Sequence, residues 1–110
     1  MNSNGRARRR LFAVETPLGY RVFLTRDRWR RIAHQKHPAL AGHHKQIRAC
    51  LESPAVIRPS AQDPDVHLYY GSSAKGVLCV VVTPADANER FVVTAYFTAH
   101  IKKMNALWTS

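Results

Sequence analysis

The chain has 110 residues, which suits one domain built around a single hydrophobic core. An apolar fraction of 45% with 22% charged residues is typical of a globular protein, and the longest apolar run, Gly76 to Val82, is too short to cross a membrane. Cys50 and Cys79 lack the spacing of a zinc cluster and lie in apolar stretches, so we expect buried free thiols in a cytoplasmic protein with no membrane partner.

Positive charge is concentrated in the first half of the chain. Residues 1–58 contain 13 Lys and Arg against three acids, whereas residues 59–110 contain four of each sign, so the whole net charge of +10 lies in residues 1–58. A one-sided field attracts polyanions, which makes nucleic acid the leading partner class. An acidic protein partner, or charge kept only for solubility, remains an alternative.

The N-terminal part divides into an arm and the start of one domain. Four arginines in residues 1–10 repel one another without apolar neighbours, so we predict a flexible basic arm there and a single domain over residues 11–110. Residues 11–16 and 20–24 have the composition of short strands and flank the turn residues Pro17-Leu18-Gly19, a pattern that predicts a β-hairpin.

Two helices are predicted next. Thr25 suits an N-cap, apolar residues follow at helical spacing, and the helix should end by His37 because the residue before Pro38 is excluded from helical geometry. A second helix is predicted from Ala39 to Glu52. The two helices should present four basic side chains away from their apolar faces: Arg28, Arg31, Lys45 and Arg48.

The rest of the chain has the two-residue period of strands. The predicted fold is therefore α+β, with the N-terminal hairpin and two helices packed on a four-stranded antiparallel sheet. The stretch from His100 to Trp108 fits a short helix or an extended tail equally well. The four predicted strands are Val56–Ser60, Val66–Tyr70, Gly76–Pro84 and Phe91–Thr98.

Most enzyme classes lack their signature residues here. The sequence has no phosphate-binding glycine loop, dinucleotide fingerprint or nucleophile elbow, and only seven acids. Histidine, arginine, tyrosine and hydroxyl groups in a basic protein are the groups a metal-independent ribonuclease uses. RNA carries its own 2′-hydroxyl nucleophile, so the protein must supply proton transfer and charge stabilisation and needs no cofactor.

Histidines at the end of the first helix are candidates for proton transfer. His37 is the candidate catalytic histidine, and His34, three residues earlier, is a candidate substrate contact. Their alternative role is to hydrogen-bond the last helix carbonyls. Zinc binding with His43 and His44 is disfavoured because Pro38 separates the two pairs.

Strand residues supply the other candidates. Arg58 on the third predicted strand would stabilise the pentavalent phosphate, and a stripe of hydroxyls on the last strand, Thr94, Tyr96 and Thr98, would position the substrate. Each has a plain alternative as a solvent-facing residue.

Further substrate contacts are predicted on strands and turns. Tyr69 would stack a base, and Lys75 and Lys102 would contact phosphates together with the basic residues of the helices. Exposed lysines often have no such role.

The order of short motifs resembles a known group of nucleases. From Pro17 to Trp108 the chain is similar to small phage and bacterial nuclease-like domains of the barnase–EndoU–colicin–RelE group. The motifs are Trp29-x-x-Ile32, His37-Pro38, Ile47, Pro54-x-x-Ile57, Ser60-x-x-Asp63, Tyr69-Tyr70, a valine-rich strand, Val93-Thr94-Ala95-Tyr96, Ile101-Lys102 and Trp108.

The resemblance implies helices on a four-stranded antiparallel sheet and metal-free RNA cleavage in toxin or phage-associated settings. It maps the active groups to the open face of the sheet and the helix end, at His37, Arg58, Thr94, Tyr96 and Thr98. Such domains often place a glutamate directly after His-Pro, whereas this chain has Ala39, so either His37 carries out the proton transfer or this member is catalytically weak. The alternatives are a non-catalytic nucleic-acid-binding module and a toxin-like protein covered by an acidic antitoxin or immunity protein.

Overall fold

A β-hairpin opens the part of the chain that the structure, a computed structural model, describes: residues 9–110. Strands β1 (Arg10–Glu15) and β2 (Arg21–Thr25) pair antiparallel around a turn in which Gly19 has a φ of +92°, a conformation that glycine adopts without strain. The hairpin prediction is confirmed. Residues 1–8 of the predicted basic arm lie outside the described residues, and Arg10, assigned to that arm, begins β1.

The first helix starts and ends where its local chemistry requires. The Thr25 hydroxyl accepts a hydrogen bond from the Arg28 backbone N–H at 3.1 Å and caps α1 (Arg26–Arg31). The helix widens into a π-helical turn over Ile32–Lys36, which buries Ile32 and Ala33, and it ends before His37. The predicted stop before Pro38 is confirmed.

The second helix is shorter than the sequence predicted. Pro38 begins a single 3₁₀ turn (Pro38–Leu40), and α2 covers only His44–Glu52. Between them Gly42 has a φ of +81°, in the left-handed region that breaks a helix. The predicted continuous helix from Ala39 is therefore wrong over its first five residues, because the glycine turn resets the chain direction.

The sheet has seven strands, and the predicted four-stranded antiparallel sheet is wrong, although the α+β class holds. The strand order is β1-β2-β6-β5-β4-β3-β7, and β2 pairs with β6 in parallel. Hairpin β1–β2 joins the sheet through that pairing, and the last residues add β7 beside β3. The remaining strands are β3 (Val56–Pro59), β4 (His67–Ser73), β5 (Gly76–Pro84), β6 (Glu89–Thr98) and β7 (Trp108–Thr109).

The two faces of the sheet differ in what covers them. On the helix face, Ile32, Leu40, Ile47 and Leu51 from the helical segments pack against strand residues such as Val80, and all are fully buried. On the opposite face, which we call the outer face, a smaller cluster forms around Val56, Tyr70 and Cys79. Strand β5 lies in the middle and contributes to both clusters, as its uninterrupted apolar run predicted.

A β-bulge changes which residues of β6 face the helices. The register between β5 and β6 shifts between the pairs Val81–Thr94 and Val82–Val92, which leaves Val93 as the extra residue. Val92 is therefore buried on the helix face with Ala95, whereas uninterrupted alternation would have placed Val93 there. Thr94, Tyr96 and Thr98 keep their common orientation toward the outer face.

The last residues form a strap across part of the outer face. Residues 99–107, which we call the C-terminal strap, are not helical, and Ile101 and Ala106 pack against the outer-face cluster. The Leu107 N–H donates to the Ile57 carbonyl at 2.7 Å, just before β7 pairs with β3. No helix in residues 9–110 is long and apolar enough to cross a membrane.

Candidate functional site

His37 and Tyr96 meet at the end of the first helical segment. The His37 backbone N–H donates to the Ile32 carbonyl at 2.8 Å, which fixes the residue at the helix end. Beside it, the edge of β6 that faces β2 is unpaired beyond Phe91, because β2 ends and α1 begins there, whereas β5 pairs with the other edge of β6. The two rings lie 6.1 Å apart, centroid to centroid, at an open cavity of about 460 Å³. Its lining consists of Lys36, His37, Pro38, Ala39, Leu40, Tyr96 and Phe97.

The hydroxyl groups of β6 remain protonated and partly unpaired. Burial raises the pKa of Tyr96, as does the neighbouring Cys79 thiol, so the phenol stays a hydrogen-bond donor at neutral pH. The Thr94 Oγ1 atom is buried and has no hydrogen-bond partner among the described residues. A buried hydroxyl without a partner is rare and is found where strain or a ligand accounts for it.

Arg58 lies on the same face but in a second cavity. Its Cα is separated from that of Thr94 by three strand spacings, about 14 Å. The Arg58 Nε donates to the Met104 carbonyl of the C-terminal strap at 3.1 Å. With Ala61, Lys102, Lys103 and Met104 it lines an open cavity of about 490 Å³. The structure thus brings together Arg58 and Lys102, but not Arg58 and His37.

Tyr70 and Cys79 connect the two cavities across the strands. Tyr70 pairs with Cys79, and Cys79 pairs with Tyr96, so these three side chains form one row on the outer face. Burial raises the pKa of the Tyr70 hydroxyl, and the nearby Arg58 guanidinium partly offsets that rise. Burial also raises the pKa of Cys79 despite the adjoining Tyr96 and Tyr70 hydroxyls. The Cys79 thiol therefore stays protonated and is a poor nucleophile.

The predicted basic contacts are spread over several surfaces. Arg28 is half-buried beside the outer face, where its guanidinium lies 5.8 Å from the centroid of the Phe91 ring. Lys75 is exposed in the turn between β4 and β5, beyond the Val77–Thr98 pair. The other four are exposed on the helical segments and do not line either cavity: His34, Arg31, Lys45 and Arg48.

Tyr69 is the one predicted substrate contact that is fully buried. It lies on the helix face, where its hydroxyl forms hydrogen bonds with Thr16 Oγ1 at 2.9 Å and with the Tyr20 hydroxyl at 2.6 Å. Tyr20 in turn bonds His67 Nδ1 at 2.7 Å. Tyr69 and Tyr70 face opposite sides of the sheet, and the side that the helices cover is that of Tyr69, so its ring is not available to stack a base as predicted.

Several residues of the site were missed in the sequence. Lys36 was not assigned to the site, and its position next to His37 was the available signal. Cys79 and Tyr70 were both assigned to the core, which is correct for their burial but overlooks their place in the row between the cavities. Only strand order reveals that row.

The described chain contains no group of three or more His, Cys, Asp or Glu side chains placed to hold a metal ion. Cys50 and Cys79 are buried free thiols, as predicted, and burial raises the pKa of Cys50 to about 12. No protein-family model, curated protein or solved structure matches the chain. The resemblance to the nuclease group stays a prediction from motif order.

Proposed function

We propose that this protein is a metal-independent endoribonuclease of the cytoplasm that cleaves RNA by attack of a 2′-hydroxyl on the adjacent phosphate. The observation that carries the proposal is the approach of the His37 ring to Tyr96, at a cavity that opens beside the hydroxyl stripe of β6. Histidine is the side chain that ordinarily exchanges protons near neutral pH. The two cysteines and Tyr96 have raised pKa values, so these groups keep their protons at neutral pH.

In this mechanism His37 removes the proton from the 2′-hydroxyl as the 2′ oxygen bonds to phosphorus. The bond to the 5′ oxygen breaks, that oxygen takes a proton from water, and the products are a 2′,3′-cyclic phosphate and a 5′-hydroxyl. Lys36 and the Tyr96 hydroxyl offset the charge on the non-bridging oxygens, and Thr94 and Thr98 position the strand. Arg58 with Lys102 holds a phosphate farther along the RNA.

The elongated arrangement of charges favours a polymer over a small phosphate ester. One open cavity lies at the edge of β6 and the other on the outer face, each with at least one cation, and the row of Tyr70, Cys79 and Tyr96 runs between them. A chain of regularly spaced phosphates can occupy both at once, which a mononucleotide cannot do. Positive charge on the helical segments would add sequence-independent attraction.

The proposal is tested by incubating purified protein with RNA in excess EDTA. We expect cyclic-phosphate ends, no cleavage of DNA of the same sequence, and a loss of at least about 100-fold in rate for His37→Gln, the range for removing a general base. Exposed His100 gives the matched control: His100→Gln should cleave like wild type. Absence of cleavage, or equal rates for both variants, would overturn the assignment.

Arg58 requires a pair of variants because its side chain also anchors the strap. Arg58→Ala removes both the charge and the bond to the Met104 carbonyl, whereas Arg58→Lys keeps the charge but loses the planar guanidinium. If Arg58 contacts a phosphate, the KM for RNA should rise in Arg58→Ala and partly recover in Arg58→Lys. Unchanged kinetics in both variants would limit Arg58 to holding the strap.

A further inference from the structure

Two phenylalanines lie side by side on the outer face, at the end of the sheet away from the C-terminal strap. Val22 and Leu24 are fully buried on the helix face, so Phe23 between them points to the outer face. Phe23 pairs with Phe91 where β2 and β6 run in parallel, and the ring centroids are 6.1 Å apart at an interplanar angle of 34°. Both rings are half-buried, and neither belongs to the two hydrophobic clusters of the described residues.

Each ring has a guanidinium group next to it. The Arg10 guanidinium carbon lies 3.9 Å from the centroid of the Phe23 ring, and that of Arg28 lies 5.8 Å from the centroid of Phe91. Glu89 accepts two hydrogen bonds from Arg10, at 2.8 and 2.9 Å, which hold its guanidinium plane in place. Arg28 has no ion-pair partner among the described residues. We call this set of two rings and two guanidinium groups the aromatic platform.

The position of the platform connects it to the proposed active site. Phe91 precedes Thr94 on the same strand, and both face the outer side of the sheet. The C-terminal strap covers the part of that face formed by Val56, Tyr70 and Cys79, so it leaves the platform uncovered. An RNA strand that reaches from the His37 cavity along β6 toward its N-terminal end passes over these rings.

We propose that the aromatic platform stacks an unpaired base of the same RNA strand that is cleaved at the His37 cavity. This inference rests on the proposed function and names the form of its substrate, single-stranded RNA. Aromatic rings on a sheet face and arginine planes are the surfaces on which single-stranded RNA is stacked, because every unpaired base offers a flat π surface. A duplex hides those surfaces in its own stack. An acidic peptide would use the two arginines but leave the rings without a partner.

The test is a binding cycle with RNA that cannot be cut. A 2′-O-methyl oligonucleotide is bound but not cut, because it lacks the 2′-hydroxyl nucleophile. A set of such oligonucleotides, each lacking the base at one position, locates the nucleotide that is stacked. Phe91→Leu should weaken binding of the intact strand about tenfold, whereas Phe91→Tyr should bind like wild type. The loss in Phe91→Leu should vanish for the copy that lacks the stacked base. Thermal melting of both variants establishes that each is folded.

A charge-matched pair separates the platform from general attraction. Arg28→Ala and Arg30→Ala each remove one arginine from α1, but only Arg28 lies against a ring, whereas Arg30 is exposed. We expect Arg28→Ala to weaken binding more than Arg30→Ala at the same salt concentration, with 2-aminopurine fluorescence quenched at the stacked position by wild type and less by Arg28→Ala. Equal losses of binding in the two variants would show that Arg28 contributes only non-specific charge attraction.

The outcomes distinguish the platform from the nuclease assignment. Equal binding by wild type and Phe91→Leu, or an equal loss for intact and base-free strands, overturns the platform even if RNA is cleaved. If the binding loss in Phe91→Leu depends on one base but the protein cleaves no RNA, the platform is supported and the nuclease assignment is overturned. Equal weakening of duplex and single strands in Phe91→Leu would also overturn the single-strand preference.

Discussion

The two faces of the sheet differ in how tightly they are packed and in how completely their polar groups are paired. On the helix face, fully buried aliphatic side chains fill the space between sheet and helices, and the polar groups near them are paired, as in the chain Thr16–Tyr69–Tyr20–His67. On the outer face a smaller cluster is mixed with polar groups that lack full pairing, above all the Thr94 hydroxyl. One face is arranged for stability, and the other keeps hydrogen-bonding capacity free.

That difference indicates where a ligand is bound. A buried polar group without a partner costs about 1–3 kcal/mol, so a fold retains one only where something offsets the cost. Protonated hydroxyls and cations without carboxylate partners on the outer face suit an anionic strand, whereas the corresponding groups on the helix face already satisfy one another. The comparison predicts that substitutions on the helix face mainly lower stability, whereas substitutions on the outer face mainly lower activity.

The largest effect should come from the helix face. Leu51 is fully buried against the sheet, and Leu51→Ala should lower the free energy of unfolding by about 2–5 kcal/mol, because it removes packed methyl groups and leaves a cavity. The matched change on the outer face, Val81→Ala, removes a half-buried side chain and should cost about 1 kcal/mol. Urea unfolding measures both. Similar losses at the two positions would contradict the unequal packing of the faces.

Hydroxyl substitutions should have effects of opposite sign. Tyr69→Phe deletes the hydroxyl that hydrogen-bonds with Thr16 and Tyr20 and should destabilise the protein by about 1–2 kcal/mol without changing RNA cleavage once folded. Thr94→Val keeps the shape but removes an unpaired buried hydroxyl, so it should leave stability unchanged or raise it by about 1 kcal/mol while cleavage falls. A destabilised Thr94→Val protein would show that the hydroxyl has a structural partner.

A smaller, pH-dependent effect should trace to the hydroxyl network. Burial and the charge of Arg90 lower the pKa of His67 to about 4, although the charge of Asp65 acts in the opposite direction. The folded protein therefore binds this proton less readily than the unfolded chain. Stability should be full above the ordinary histidine pKa of about 6.5 and fall as the pH drops toward 4, by on the order of 1 kcal/mol for a half-buried ring.

The His67 effect is isolated by comparing melting temperatures between pH 7 and 4. In His67→Gln the melting temperature should fall less steeply across this range than in wild type. His100→Gln serves as the control because His100 is exposed, and its slope should match wild type. An identical slope in His67→Gln would contradict a lowered pKa in the folded state.

Local signals in the sequence predicted the individual elements well. The cap at Thr25, the stop at Pro38, the turn at Gly19 and the uninterrupted apolar run of β5 each act on neighbouring residues, so each element follows from a few adjacent side chains. The hydroxyl stripe of β6 was also predictable because it depends only on alternation. The bulge at Val93 was not, since an extra residue in a strand leaves no local signature.

What the sequence did not reveal depends on contacts between distant segments. The parallel pairing of β2 with β6 joins residues nearly 70 positions apart and adds the two hairpin strands to the predicted four, and the pairing of β7 with β3 adds the seventh strand. The same pairing brings Phe23 beside Phe91, and strand order places Cys79 between Tyr70 and Tyr96. Because no local pattern encodes these neighbours, the aromatic platform and the row between the cavities emerged only from the fold.

The most direct test of the account is an NMR titration that shows which face contacts RNA. Uniformly labelled protein is titrated with the 2′-O-methyl oligonucleotide at moderate salt, and amide and aromatic shifts are followed. The account predicts that the largest changes fall on the outer face and its edge, at Phe91, Thr94, Tyr96 and His37. Changes confined to Lys45, Arg48 and the rest of α2, with the outer face unaffected, would contradict it.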